Sequence, residues 1–291
     1  MHDRSVHQPT TEQELRALVR LLDDSDPVVT TAVQQRLVEH GHAAVSILRE
    51  LIATAGQTAI EAINAEACLR AIRTAALGVL VDDIMTTCVE HSELDLERAV
   101  LNLSAFGYPE TDRNACGAYL DSLALATRKQ MTGSSPLEEL LALNTVLFEY
   151  EQFRGAIGNF YSPVHTYIGP LLHNREGIPI TLSVLYMLVA QRLDIELHGI
   201  GMPLHFLLYH PGLDVFIDCF NAGSFISHSE CRKFIEHAGF TFNDSMLEKR
   251  NNIEIIQRMM RNAIYAHSKA GQQWEADTLQ EALDTITHLI N

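Results

Sequence analysis

Apolar residues at Leu15, Leu18, Val19 and Leu22 return every three or four positions, and Thr11-Glu12-Gln13-Glu14 just ahead of them has capping-box chemistry. A first helix is therefore predicted from about Thr10 until Asp23 to Asp26 close it. A second begins at Pro27, a good first-turn residue, carries Val28, Val29, Ala32, Val33 and Leu37 on one face, and stops at His40-Gly41. A third runs from about Ala43 to Ala53. Residues 93 to 129 hold two more helical patterns broken by Gly107-Tyr108-Pro109, and the loop Thr132-Gly133-Ser134-Ser135-Pro136 leads into apolar helical spacing from Leu137 to Phe148.

The texture then changes. Phe153, Phe160, Tyr161 and Tyr167 cluster with Gly155, Gly158 and Pro163, which predicts an ordered loop, because so many rings would not sit free in water. Pro179 to Leu193 reads as a buried helix: Leu182, Leu185, Tyr186, Leu188 and Val189 leave little polar surface, and proline suits its first turn. Strand patterns follow at Ile195, Leu197 and Ile200, at Phe206 to Tyr209 and at Val215 to Ile217. From Ile253 to Ile290 the chain returns to two helices separated near Gly271. The class expected is α+β, mainly helical with a small antiparallel sheet, divided as a helical region 1–88, a mixed core 89–240 and a helical tail 241–291. Asp24-Ser25-Asp26-Pro27-Val28-Val29, then Arg36-Leu37 and Gly41, resembles one HEAT-type unit; an ordinary helical bundle explains the same pattern.

Between the last two strand patterns, His210-Pro211-Gly212-Leu213 reads as a hairpin turn. Symmetry about Pro211-Gly212 sets Tyr209 opposite Asp214, Leu207 opposite Phe216 and His205 opposite Asp218. Directly opposed residues share a face of the sheet. An imidazole facing a carboxylate is the base-and-orienter half of a nucleophilic triad, and equally a common structural pair.

Leu143-Asn144-Thr145-Val146-Leu147-Phe148-Glu149, Phe160-Tyr161-Ser162-Pro163, the run from Arg175 to Tyr186 that contains Gly177-Ile178-Pro179-Ile180-Thr181, Pro203-Leu204-His205-Phe206 and Phe216-Ile217-Asp218-Cys219-Phe220-Asn221-Ala222-Gly223 together resemble the bacterial SirB-type branch of the transglutaminase-like superfamily. Arg258-Met259-Met260-Arg261-Asn262 and Tyr265 resemble the start of that branch's tetratricopeptide-like tail. The resemblance implies a papain-like core, in which a cysteine opens a buried helix packed on an antiparallel sheet while His and Asp sit on successive strands. It carries over His205 and Asp218, and the cysteine position falls on Pro179. Leu204 stands where the family has Gly, Cys219 where it has Pro, and Ala222 interrupts its Asn-Gly-Gly. The branch's naming implies regulatory roles in bacteria.

Composition narrows what such a site can do. With 37 acidic and 21 basic residues the formal charge is −16, which repels phosphate backbones, so no nucleic-acid partner is expected. No window reaches the length of a membrane span, and Met1-His2-Asp3-Arg4 opens no secretory signal, so a cytoplasmic location without membrane attachment is expected. Cys68, Cys88, Cys116, Cys219 and Cys231 are scattered, indicating reduced thiols rather than a disulfide framework or zinc site. His40/His42 and His205/His210 lack partners at ligand spacing, and no metal or cofactor is expected. Thr181 or Ser183 could replace the missing thiol only with a well-placed base, and Cys219 should point away from His205. Tyr161, His165 and Tyr167 either line the same cleft or pack as an aromatic loop. The leading expectation is a non-catalytic module that binds a protein or peptide; the alternative is a peptide or amide hydrolase or acyltransferase using His205 and Asp218 with another nucleophile.

Overall fold

A computed structural model describes residues 12–56 and 58–290. The chain divides into two compact units, residues 1–79 with 105–112, and residues 80–104 with 113–291.

In the first unit α1 (Glu12–Val19), α2 (Pro27–His40), α3 (His42–Ala55) and the part of α4 (Ile60–Glu90) up to Val79 bury one another's apolar stripes. Leu15, Leu22, Leu37, Ala44, Leu48 and Ala65 are nearly or fully inaccessible. Asp26 caps α2 by accepting from Val28 N at 2.9 Å, and Pro27 fills its first turn. Gly41, at φ +56°, lets the chain leave α2 and enter α3 without an intervening loop. The capping chemistry at Thr11 falls outside the described residues, and α4, inside the region 1–88 expected only to be helical, is one helix of 31 residues that runs two residues past it.

The second unit includes the rest of α4, α5 (Leu96–Gly107) as far as Ser104, α6 (Arg113–Gln130) and α7 (Pro136–Asn144), the last opened by a reciprocal Ser135–Glu138 capping box. A π-helical turn follows at Thr145–Tyr150. β1 (Arg154–Gly155) then pairs in parallel with β2 (Glu176–Gly177), and α8 (Ile168–Asn174) lies between them in sequence. The predicted aromatic loop, Phe153 to Tyr167, holds only β1 and a 3-10 turn at Pro163–His165, and α8, for which the sequence pattern raised no expectation, begins directly after it. α9 (Pro179–Gln191) is buried on almost every side, as its composition predicted; only Met187 and Gln191 escape.

β3 (His198–Ile200), β4 (Leu207–His210), β5 (Val215–Asp218) and β6 (Ser224–Ile226) form an antiparallel sheet, α10 (His228–His237) follows, and β7 (Lys249–Arg250) completes the strand order β6-β5-β4-β3-β7. α10 covers the face carrying Leu207 and Phe216 through Cys231 and Ile235. Two helices, α11 (Asn252–Lys269) and α12 (Gln273–Ile290), end the chain, and Gly199 admits Ile255 of α11 so closely that a Cβ there would come within 3.0 Å of it.

The hairpin register differs from the symmetric expectation. His210 pairs with Val215, Tyr209 with Phe216 and Leu208 with Ile217, so the connection is Pro211 to Asp214. Asp214 adopts φ +52°, a left-handed state that aspartate tolerates, and its N–H and that of Leu213 both donate to the His210 carbonyl. His205 precedes β4 rather than facing Asp218 from within it. Because side chains alternate with period two, this slip leaves His205 and Asp218 on the same face as diagonal neighbours.

Candidate functional site

Asp218 ends β5 and caps the 3-10 turn Cys219–Asn221 that follows. Its Oδ1 accepts from the N–H groups of Phe220 at 3.1 Å and Asn221 at 3.3 Å, while Oδ2 accepts from Asn221 Nδ2 at 2.7 Å. His205 Nε2 lies 3.0 Å from the same Oδ2, and the two side chains are 10% and 8% exposed. Burial pushes the Asp218 carboxyl upward, but the His205 imidazole and the Asn221 donors outweigh it and hold the pKa below the ordinary aspartate value. With Nε2 turned to the carboxylate, Nδ1 is the nitrogen of His205 left to meet a ligand.

The loop that carries His205 is held from below. Arg258 of α11 donates through Nη2 to the carbonyls of Met202 at 2.8 Å and His205 at 2.7 Å. Leu204, immediately before the histidine, sits at φ +60° and is 73% exposed, a left-handed backbone that costs leucine energy where glycine would be at ease. The Asp218 turn is anchored separately. Asn144 Nδ2 donates to the Gly223 carbonyl at 2.9 Å, and the buried Tyr186 hydroxyl donates to Asn144 Oδ1 at 3.1 Å. Phe220 meets the His205 ring edge-on at 6.2 Å and lies where a Cβ on Gly155 would come within 2.6 Å of it. His205 also meets Phe234 of α10, tilted to its ring, at 5.5 Å.

α9 offers this pair no nucleophile. Pro179 is its first residue and buried, and Thr181 and Ser183 are wholly inaccessible, with no hydrogen-bond partner for either hydroxyl among the described residues. Cys219 is buried on the side of Ser183, which is near it without a formed hydrogen bond, and desolvation drives its thiol pKa far up. Cys231, under α10, is pushed up to about 12 by the same cause. Among the described residues His205 makes no hydrogen bond, ion pair or ring contact with α9; its partners are Asp218, Phe220, Phe234 and, through its backbone, Met202 and Arg258.

The three ring residues expected near the cleft separate. Tyr161 is 55% exposed and joins the site through Phe160, which meets Phe220 at 6.1 Å. His165 is buried, its Nδ1 bonded to the Asn159 carbonyl at 2.9 Å and its Nε2 3.7 Å from Glu176. Tyr167 is fully buried and its hydroxyl is 2.7 Å from His267 Nε2, so it has no surface to offer a ligand. A cavity of about 1240 Å³ opens at the other end of α9, among Glu93, Arg98, Gln191, Arg192 and Asn252. Arg192 there is neutralised by Glu97 and Asp121, each at 2.6 Å. No group of three His, Cys, Asp or Glu side chains is placed to hold a metal ion among the described residues, and no helix among them is long and apolar enough to cross a membrane.

A buried helix, an antiparallel sheet and a His–Asp pair at the end of adjacent strands agree with the sequence profile of the transglutaminase-like superfamily, which matches residues 114–261, just over half of the chain. The chain belongs to that superfamily. Among similar proteins, a UPF0162 protein of Xylella fastidiosa (strain 9a5c) is 28% identical over 214 residues, 69% of this chain and 74% of the relative. F-box only protein 21 of Mus musculus is 31% identical over 153 residues, 49% of this chain; the matched part is only 24% of that protein, so the chain spans about a quarter of it. A UPF0162 protein of Pseudomonas aeruginosa is 32% identical over 105 residues, 35% of this chain and 38% of the relative. No solved structure matches the chain.

Within this transglutaminase-like core, the sequence pattern did not single out Arg258, Asn144 or Phe234. Asn144 and Arg258 stand inside the quoted family segments, yet nothing in their spacing says that they reach the Asp218 and His205 loops from 79 and 53 residues away. Phe234 carried no signal, since the sequence pattern predicted no element where α10 lies.

Proposed function

We propose that this transglutaminase-like domain is a non-catalytic module that binds a protein or peptide segment at the His205–Asp218 pair. The observation that carries the reading is the mismatch between the two halves of the site. His205 and Asp218 are positioned and shielded as a base and its orienter would be, while Pro179 has no side-chain nucleophile and the hydroxyls of Thr181 and Ser183 are sealed in the core without touching the imidazole. Cys219 and Cys231 are buried thiols, disfavoured as thiolates by desolvation. What the pair retains is recognition chemistry: an imidazole nitrogen beside exposed Leu204 and partly exposed Phe234, suited to an acceptor or donor on a ligand with an apolar neighbour. The regulatory role suggested by the SirB-type resemblance belongs to this proposal.

The competing reading is an amide hydrolase or acyltransferase in which His205 activates water or an unassigned nucleophile. A peptide array probed with the full chain should show discrete binders whose signal drops for His205→Ala. Incubation with casein and dansylcadaverine should give no His205-dependent product, and intact-mass measurement no acyl adduct. Product that disappears in His205→Ala, or an adduct on any side chain, sinks the non-catalytic reading.

A further inference from the structure

The exposed face of α11 differs in charge from the rest of the chain. Overall the protein carries −16, yet from Ile255 to Lys269 this helix has Arg258, Arg261 and Lys269 and no acidic residue. Glu254, one turn earlier, is spoken for by Arg250 at 3.2 Å. Steps of three and four residues put Arg258, Arg261, Tyr265 and Lys269 on one stripe, and the opposite face is buried through Ile255, Ile256, Met259, Met260, Ala263 and Ala266. Neither Arg261 nor Lys269 has a carboxylate partner among the described residues; Lys269 Nζ instead lies 5.3 Å over the Tyr265 ring. Arg250 and Arg261 are close enough to Arg258 to oppose its charge, adding to the effect of its burial.

This stripe is contiguous with the His205 site by two routes. Arg258 grips the His205 carbonyl at one end. Along the other route Phe220, Phe160, Tyr161 and Tyr265 follow one another from His205 at centroid distances of 6.2, 6.1, 5.2 and 5.1 Å. Tyr161 and Tyr265 are 55% and 46% exposed, and so two half-open rings stand beside unpaired cations. Aromatic edges and faces take apolar or aromatic side chains, while guanidinium and ammonium groups take carboxylates. An anion here meets attraction, whereas over most of this acidic surface it meets repulsion, which fixes where and in what register it docks.

We infer that the α11 stripe, with Tyr161, is a docking surface for an acidic peptide segment that carries an aromatic or large apolar side chain, and that it extends the His205 site. The inference rests on the peptide-binding reading above and adds the chemistry of the peptide. The occupant is a chain with carboxylates spaced along it: Arg261 and Lys269 are separated by two helical turns, too far apart for one small anion to bridge.

The test is fluorescence anisotropy of a fluorescein-labelled random glutamate–tyrosine copolymer titrated with the full chain. Binding is expected, weakening as sodium chloride is added, and plain polyglutamate should bind less tightly than the copolymer. The doubly reversed variant Arg261→Glu/Lys269→Glu changes only exposed side chains, so its thermal midpoint should match the wild type while its affinity falls about ten-fold or more. Tyr265→Ala should cost affinity for the copolymer but little for polyglutamate. Failure of the wild type to bind the copolymer, equal binding by the reversed variant, or preference for polylysine or for phosphatidylserine vesicles would overturn the inference. Cleavage of the copolymer that is lost in His205→Ala would instead overturn the non-catalytic reading and leave this surface standing. Conversely, array binding that depends on His205 but is indifferent to the α11 reversal would remove the stripe and leave the module.

Discussion

Arg258 Nη2 lies 2.7 Å from the carbonyl oxygen of His205, a residue 53 positions earlier in the chain, and 2.8 Å from that of Met202. One guanidinium thus satisfies two carbonyls of a loop whose Leu204 is in a left-handed conformation. Arg258→Met keeps the stem and removes the fork, so both carbonyls lose a charged donor. A loss of about 2 kcal/mol is expected, seen as a lower urea midpoint, with a shift of the His205 imidazole resonances. Arg258→Lys should restore little, because both bonds come from Nη2 at the far end of the guanidinium, and the shorter lysine stem does not bring its nitrogen to that point. Unchanged His205 resonances in Arg258→Met would contradict the positioning role.

The Asp218 carboxylate gives an acid-side prediction. Its folded pKa lies below the ordinary 3.8, so the folded state favours the charged form. The stabilisation is fully present above the unfolded value and is lost as pH falls through it and then through the lower folded value. Asp218→Asn removes that dependence and leaves a donor facing His205 and Asn221; it should cost about 3 kcal/mol near neutral pH. Urea midpoints collected between about pH 3 and 7 should show a steeper acid limb for wild type than for the variant.

Thr181 and Ser183 present the opposite case. Both hydroxyls are wholly buried without a hydrogen-bond partner, so their removal should relieve a desolvation cost rather than break a bond. Thr181→Val, which keeps the shape, is expected to be neutral or to stabilise by about 1 kcal/mol, and Ser183→Ala to fall within about 1 kcal/mol of wild type. Peptide binding should not change. A loss of several kcal/mol by chemical denaturation would mean that these oxygens serve a partner not visible in the packing.

Gly223 combines φ +73° with direct contact of its would-be Cβ on the Asn144 side chain. Gly223→Ala must distort the backbone or expel the amide that holds its own carbonyl. A cost of about 2 to 4 kcal/mol follows, measurable as a lower thermal midpoint, together with weakened binding of any His205-dependent peptide. Gly239, also at positive φ but with open space around it, should tolerate alanine better, since only the backbone term applies.

Where local chemistry dictates structure, the sequence was legible. Asp26-Pro27, the loop ending at Pro136 ahead of apolar helical spacing, and the almost uniformly apolar 179–191 run each mark a helix without tertiary help, and α2, α7 and α9 follow them. β1, β2 and β7 are two residues each, too short for any periodicity to register. The turn residue that moved the hairpin register was Asp214, whose left-handed conformation is permitted rather than demanded by its chemistry. His205 and Asp218 nonetheless meet, because the register error was even and parity decides the face. The reach of Arg258 and Asn144 into the site depends on packing between distant segments, which no window of sequence contains.

The boundary of the matched family segment, residue 261, falls inside α11, which runs to Lys269. A fragment cut there would keep the Arg258 fork but lose half of the helix that presents it, including Ala263 and Ala266, and all of α12. A piece that ends at the family boundary would therefore carry the His205 loop on a helix stripped of part of its buried face, with the motif present and the means to hold it cut short.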